Sequence, residues 1–471
     1  MDENFYSVLS RRVRTIATEC CLELPDGRSI TYEEMWQGAD RIAALLRRRG
    51  VEPGDRVAVQ AEKSAETVML HLAIMQIAGV YLPLNTAYTP DECAFLLADA
   101  EPKLVIRDPS EVLKDALTLL SPSVSPVHRS ANDPAAILYT SGTTGRPKGA
   151  ILTHGNLTAN ASALVQAWGL TSSDVLLHAL PIFHAHGLFV ALHSALLAGL
   201  KTVWMPKFEA ADVLDALPRA TVLMGVPTFY TRLLEHPGLS RDVASNMRLF
   251  VCGSAPLRET TFQAFADRTG HRIVERYGLT EALIVCSNPL DGERLPGSVG
   301  YAMPSVAVRL DDAGVIQVRG PSVSPGYWNN TEATAQAFTA DGFFITNDVA
   351  RLDNDGRVWI SGRSSDLIIS GGYNVYPKEI ELLLDDVEGV VESAVIGVPH
   401  PDFGEAVVAV ITGDASEEVL STLLRERVAS YKRPKRYYFV ESFPRTALGK
   451  IQKRALREIY QYVFIGQEAV G

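Results

Sequence analysis

Tyr139-Thr-Ser-Gly-Thr-Thr-Gly-Arg-Pro-Lys-Gly149 decides the reading of this chain. A short β-type apolar run, Ala135-Ala-Ile-Leu138, leads into it, and Lys148 closes it. Such a loop turns several backbone N–H groups toward one point. Its hydroxyls and ammonium add donors, so the guest that suits it is a polyphosphate. The Walker pattern G-x-x-x-x-G-K-[ST] does not fit, because Pro147 stands where its second glycine belongs. A solvated linker would explain an isolated G-T-T-G. Ten residues from Thr140 to Gly149, directly after a strand, favour phosphate.

Toward the N-terminus the pattern alternates. Thr31-x-x-Glu34 is a capping box, and Met35, Ala39, Ile42 and Leu46 share one helical face, closed by Gly50. Arg56-Val-Ala-Val59 reads as a strand and Ser64 opens a second helix, stopped by Gly79. Val80–Leu84, a helix starting at Pro90, and Lys103–Ile106 continue the alternation. Strand and helix at this spacing predict a parallel sheet with crossover helices. Beyond the loop, two apolar strands end in small-residue turns: Val251-Cys-Gly-Ser-Ala-Pro256 and Val274-Glu-Arg-Tyr-Gly-Leu-Thr-Glu281. Ligands gather at such strand ends. Residues 300–360 read as a small β-rich subdomain, with a hinge at 363–366 and a compact α+β tail after it.

At 471 residues the chain exceeds one ordinary core. With 47% hydrophobic and 21% charged residues it is globular. A net charge of -11 argues against nucleic-acid binding, though not against an anionic ligand in a local field. Five scattered cysteines make no disulfide framework, and no C-x-x-C or H-E-x-x-H occurs. Met1-Asp-Glu-Asn-Phe5 lacks a signal peptide's basic and apolar regions, and no apolar run reaches membrane-spanning length. Reduced cytoplasm, with no membrane partner, is the expectation. No G-x-S-x-G is present, which excludes the usual serine hydrolase.

Thr140–Gly149, Tyr277-Gly-Leu-Thr-Glu281, Ile345-Thr-Asn-Asp348, Gly362-Arg363 and Pro444-Arg-Thr-Ala-Leu-Gly-Lys450 together resemble the adenylate-forming superfamily of acyl-CoA synthetases, luciferases and peptide-synthetase adenylation domains. The resemblance spans essentially the whole chain. It is nearest to malonyl-CoA synthetases, through Leu180-Pro-Ile-Phe-His-Ala-His-Gly-Leu188, Ser287-Asn-Pro-Leu-Asp-Gly-Glu-Arg294 and Gly371-Gly-Tyr-Asn-Val-Tyr-Pro-Lys378.

That resemblance implies an α/β fold: a large N-terminal domain (1–363) with stacked, mostly parallel sheets plus the small β-rich subdomain, and a small mobile α+β C-terminal domain (364–471). It implies that a carboxylate attacks Mg-ATP to give acyl-AMP and pyrophosphate, after which coenzyme A takes the acyl group. Thr140, Ser141, Gly142, Thr143, Thr144, Gly145 and Lys148 would hold the β- and γ-phosphates, and Thr280 would touch the α-phosphate. Glu281, at an expected helix start, would bind Mg²⁺. Gly253, Ser254, Ala255 and Pro256 would border adenine, with Glu275, Arg276 and Tyr277 stacking on or walling it. Asp348 and Arg363 would hold the ribose, and Lys450 would bridge the carboxylate and the α-phosphate. His184, His186 and Ser254 would line the acyl pocket, with His184 near the chemistry. Arg294 would pair with the second carboxylate of a malonate-type acid, since burying that charge calls for a forked cation.

The sequence also departs from the family. Ser365 stands where Asp or Lys usually forms the domain pivot, and Asn347 replaces a usual Gly. Ala282-Leu-Ile-Val-Cys286 makes a more apolar wall than malonate-activating relatives have, which favours a substituted malonate or a monocarboxylate. Transfer to an acyl carrier protein and an impaired, binding-only relative are the alternatives.

Overall fold

The computed structural model describes residues 2–119, 124–140, 147–371, 373–445 and 451–464. Ser141, Gly142, Thr143, Thr144, Gly145 and Lys450 therefore lie outside the described residues.

The chain divides into two compact units. The first comprises 1–309, 317–345 and 354–358; the second comprises Leu310–Ile316, Thr346–Asp353 and Trp359–Gly471. The boundary expected after residue 363 thus falls inside the second unit. The division passes through four strands, Ala307–Leu310, Val315–Arg319, Phe344–Leu352 and Val358–Arg363.

In the first unit one sheet runs in the order Leu104–Ile106, Arg56–Val59, Val80–Pro83, Pro134–Thr140, Lys148–Thr153. Its first four strands are parallel and the last is antiparallel. A second sheet is parallel through its middle. Lys201–Trp204, Val175–His178, Val222–Gly225, Leu249–Cys252 and Val274–Leu279 lie side by side, and Leu283–Ser287 then pairs antiparallel with the last.

Several helices begin where the chain supplies side-chain acceptors for exposed N–H groups. Thr31 with Glu34 and Thr89 with Glu92 both form complete capping boxes, and Pro90 sits in the first turn of its helix. Helix Tyr32–Arg48 turns Met35, Ala39, Ile42 and Leu46 into the core. Helix Ala65–Gln76, capped by Ser64, is buried on all sides, with Glu66 its one residue outside the buried class. Its continuous apolar run suits that position.

The second unit packs helix Pro377–Asp385 on the long hairpin Val390–His400 and Gly404–Gly413, with Arg436–Phe439 parallel beside it. Lys453, which opens the helix Lys453–Tyr460, binds Glu381 through Nζ at 2.6 Å. Among the described residues no helix is long and apolar enough to cross a membrane.

Candidate active site

The Gly/Thr-rich loop joins two antiparallel strands. Thr140, the last residue of one, pairs with Lys148, the first of the other. This hairpin was not evident in the sequence, where the alternation predicted only parallel pairing. Its tip, 141–146, lies outside the described residues, but both posts are fixed.

Glu281 reaches the posts from a distant part of the chain. It stands in the turn between strands Val274–Leu279 and Leu283–Ser287, not at the helix start expected of it. The turn is tight. A Cβ on Gly278 would lie 2.0 Å from the Leu283 carbonyl oxygen, so the hairpin closes only on glycine. Thr280 occupies the same turn. The Thr140 hydroxyl donates to Glu281 Oε1 at 3.3 Å.

Tyr327 was not foreseen. Its phenol donates to the same Oε1 at 3.1 Å, and Lys148 Nζ lies 5.4 Å from its ring centroid. Burial, followed by the Glu281 charge, holds that phenol well above its ordinary pKa, so it stays a donor. The surrounding backbone locks the arrangement. Trp328 N–H donates to Gly149 O at 2.7 Å and Ser324 N–H donates to Glu281 O at 2.7 Å. No local signal marks Tyr327, because its partners come from two other segments of the chain.

The donor set fits magnesium bound with nucleotide. Glu281 offers a half-exposed carboxylate beside a hydroxyl, both hard oxygen donors. Among the described residues no cluster of three His, Cys, Asp or Glu could hold a metal alone. Phosphate oxygens would have to complete the shell.

Further back along the same strand the environment dries out. Arg276 is 6% exposed, and its Nε and Nη2 have no hydrogen-bond partner among the described residues. Burial lowers its pKa to about 10. The guanidinium lies against Gly253, where a Cβ would meet Cζ at 2.4 Å. Ser254 follows with φ 70°, a left-handed backbone that is costly for serine. Its Oγ lies 3.2 Å from His186 Nδ1. His186 is buried, and Nε2 has no partner among the described residues. Burial first, then the nearby Arg276 charge, keeps this imidazole neutral well below its usual range. His184 is half-buried and its Nδ1 accepts from the His186 N–H at 3.5 Å. Ala255 and Pro256 are exposed and Tyr277 is half-buried.

Two further expected residues have partners of their own. Glu275 is buried and accepts from the Gly297 N–H at 3.0 Å, and burial pushes its carboxyl up to about 7. Arg294 donates from Nε to Pro289 O at 3.1 Å, from Nη1 to Arg272 O at 2.5 Å, and from Nη2 to Leu290 O. Its guanidinium fastens the loop that carries Pro289 and Leu290.

In the second unit Asp348 and Arg363 form an ion pair at 3.0 Å, the carboxylate buried and the guanidinium half-exposed. Asn347 adopts φ 60°, the conformation its usual glycine would take, and its carbonyl accepts from Ser364 Oγ at 3.1 Å.

Comparison with known proteins gives the family. The AMP-binding enzyme family matches residues 9–328, and the AMP-binding enzyme C-terminal domain matches 379–450. The crystal structure of ATP-bound MatB from Rhodopseudomonas palustris is 46% identical, with a TM-score of 0.95 over 98% of this chain and 100% of that one. Malonate–CoA ligase of Arabidopsis thaliana is 33% identical, over 92% of this chain and 85% of its own length. Feruloyl-CoA synthase of an Amycolatopsis species is 36% identical, over 92% and 94%. Matched by that family from residue 9 to residue 328, the chain belongs to the AMP-binding, adenylate-forming enzymes.

Proposed function

We propose that the protein activates a small dicarboxylic acid of the malonate type and that Arg276, not Arg294, holds its second carboxylate. The chain is an ATP-dependent, AMP-forming acid–CoA ligase. One observation carries the choice of acid: Arg276 is a buried guanidinium whose Nε and Nη2 have no partner among the described residues. A buried cation without a counter-ion is costly, and an incoming carboxylate that takes both donors relieves the cost. A monocarboxylate would leave the cost in place. The relatives named for malonate support the same acid.

In the first half-reaction a carboxylate oxygen bonds to the α-phosphorus and the bond to pyrophosphate breaks. Thr140 and Lys148, with the loop between them, are proposed to hold the β- and γ-phosphates, and Lys450 to draw carboxylate and α-phosphate together against their mutual repulsion. Magnesium, held by Glu281, would neutralise phosphate charge. Asp348 and Arg363 are proposed to hold the ribose. In the second half-reaction the thiol of coenzyme A bonds to the acyl carbon and loses its proton, and AMP leaves with the C–O electron pair. His184, His186 and Ser254 wall the acyl group, with His186 neutral and able to donate or accept at Nε2. We place the protein in a reducing, cytoplasm-like compartment, since all five cysteines are free, Cys20 and Cys21 side by side.

Pyrophosphate release from ATP is the test, with malonate, methylmalonate and acetate, each with and without coenzyme A. Malonate or methylmalonate is expected to support release, with thioester forming only when coenzyme A is present. Acetate equal to both would sink the dicarboxylate reading. Release without thioester would point to a carrier-protein acceptor.

A further inference from the structure

We propose that Lys63 and His178 share one proton, and that this cation pins the loop carrying His184 and His186, making Lys63 a positioning residue for the acid. The inference rests on the reading of 181–187 as a wall of the acid site.

Lys63 lies between strand Arg56–Val59 and Ser64, the cap of the buried helix. Its ammonium turns inward. Nζ lies 2.6 Å from Met205 O, 2.8 Å from His178 O and 2.8 Å from His178 Nδ1, and 4.3 Å from the centre of the Trp204 ring. His178 ends the strand Val175–His178 and is 1% exposed. Its Nε2 lies 2.9 Å from Gly187 O.

Counting protons fixes the charge. A carbonyl only accepts, so Nε2 must carry a hydrogen, and two Lys63 hydrogens must go to the carbonyls of Met205 and His178. The contact between Nζ and Nδ1 needs one more, on either nitrogen. Neutral lysine and neutral histidine supply two and one; four are required. The pair therefore carries one positive charge. Burial presses each group toward neutrality. Two carbonyls and the face of Trp204 offset that pressure.

The pair gives a polar tie to a loop that flanks open space. Pro181, Ile182 and Phe183 border a cavity of about 190 Å³, which Lys63 and Phe229 also line. Gly187 lies against Pro181, where a Cβ would meet the Pro181 carbonyl oxygen at 2.0 Å, so the loop folds back on itself. Gly187 belongs to a π-helical turn, His186–Leu192, whose first residue faces Ser254. Fixing Gly187 O thus fixes His186. Lys63 sets the tautomer of His178, and His178 sets the loop.

The test uses Lys63→Met and His178→Asn in the full chain. In the asparagine variant Oδ1 keeps an acceptor for Lys63, while the amide stops short of Gly187. Each variant is expected to lose about tenfold to a hundredfold in kcat/KM for the acid, the cost of a loop displaced by roughly an ångström. KM for ATP should stay within twofold of the wild type. In the wild type, ¹⁵N spectra should show the His178 ring held as the Nε2–H tautomer, with no titration between pH 6 and 9. If neither variant changes acid kinetics, if ATP and acid shift together, or if the ring is the Nδ1–H tautomer, the proposal is overturned. A wild-type protein that releases pyrophosphate with no dicarboxylate would instead sink the proposed function, leaving the tautomer to be read on its own.

Discussion

Glu281 and Arg276 come from one strand and the turn that follows it, yet they work in opposite media. The Glu281 side is wet: Thr140, Lys148, Tyr327 and the carboxylate itself are all half-exposed. The Arg276 side is dry: the guanidinium, Gly253 and His186 are buried. A polyphosphate arrives with its own metal and water, and it must leave as pyrophosphate. Half-exposed groups serve it because they hold without trapping. A short diacid brings a charge that distinguishes it from its monoacid analogue by one carboxylate. Only a desolvated cation makes that difference large, since an exposed ion pair is worth little. On the proposed roles, affinity for the common substrate is spread over several wet contacts, while discrimination between acids is concentrated in one dry contact.

The sharpest way to break the contrast is Arg276→Leu. Losing one partner of a buried charge pair costs about 2–5 kcal/mol, or roughly thirtyfold to several thousandfold in kcat/KM. Malonate-dependent pyrophosphate release should fall by that much while ATP binding, followed calorimetrically, holds. A uniform loss of both would place Arg276 at the nucleotide.

Acid tests how far the dry region extends. His71 and His193 meet through their Nε2 atoms at 2.9 Å, and burial holds His71 near 3 and His154 near 4. Both values lie below the ordinary 6.5, so the unfolded chain takes up protons first. Stability should be whole above pH 6.5 and fall as pH drops toward the folded values, by up to about 1.4 kcal/mol per pH unit for each histidine. Urea midpoints between pH 7 and 5 would show it, and His71→Leu with His193→Leu should flatten the slope.

On the wet side effects should be smaller. Tyr327→Phe removes a phenol hydrogen bond worth about 1 kcal/mol, so half-saturation by Mg²⁺ at fixed ATP should rise roughly fivefold, with calorimetric ATP affinity in its absence unchanged. Tyr327→Leu also strips the face from Lys148 and should weaken metal-free ATP binding. Smallest in activity is Arg294→Ala. It should lower the melting temperature while leaving the preference among acids within twofold, because its donors close a loop.

Much of this was legible in the chain. Thr31 with Glu34, and Thr89 with Pro90 and Glu92, announce their helices because capping is settled within four residues. The ordered motifs gave the family, and with it the residues to examine. What stayed hidden depends on distance along the chain. Thr140 and Glu281 are 141 residues apart, and Lys63 and His178 are 115 apart. No local pattern reports such meetings. The partners of Arg276 and Arg294 stayed hidden for the same reason. Both are arginines beside the expected site, and only the folded backbone shows which has carbonyls to spend its donors on. Glu281 looked like a helix start because an acidic residue after a small one suits a first turn. Gly278 and its contact with Leu283 decided for a hairpin instead.

Gly253 carries a last consequence. A single methyl there would collide with the guanidinium carbon and push the arginine fork outward. If Arg276 holds the acid as proposed, the room left for that acid would shrink. The ruler that measures substrate length is then graduated by the one amino acid without a side chain, and a one-carbon edit to the main chain's neighbourhood would reset it.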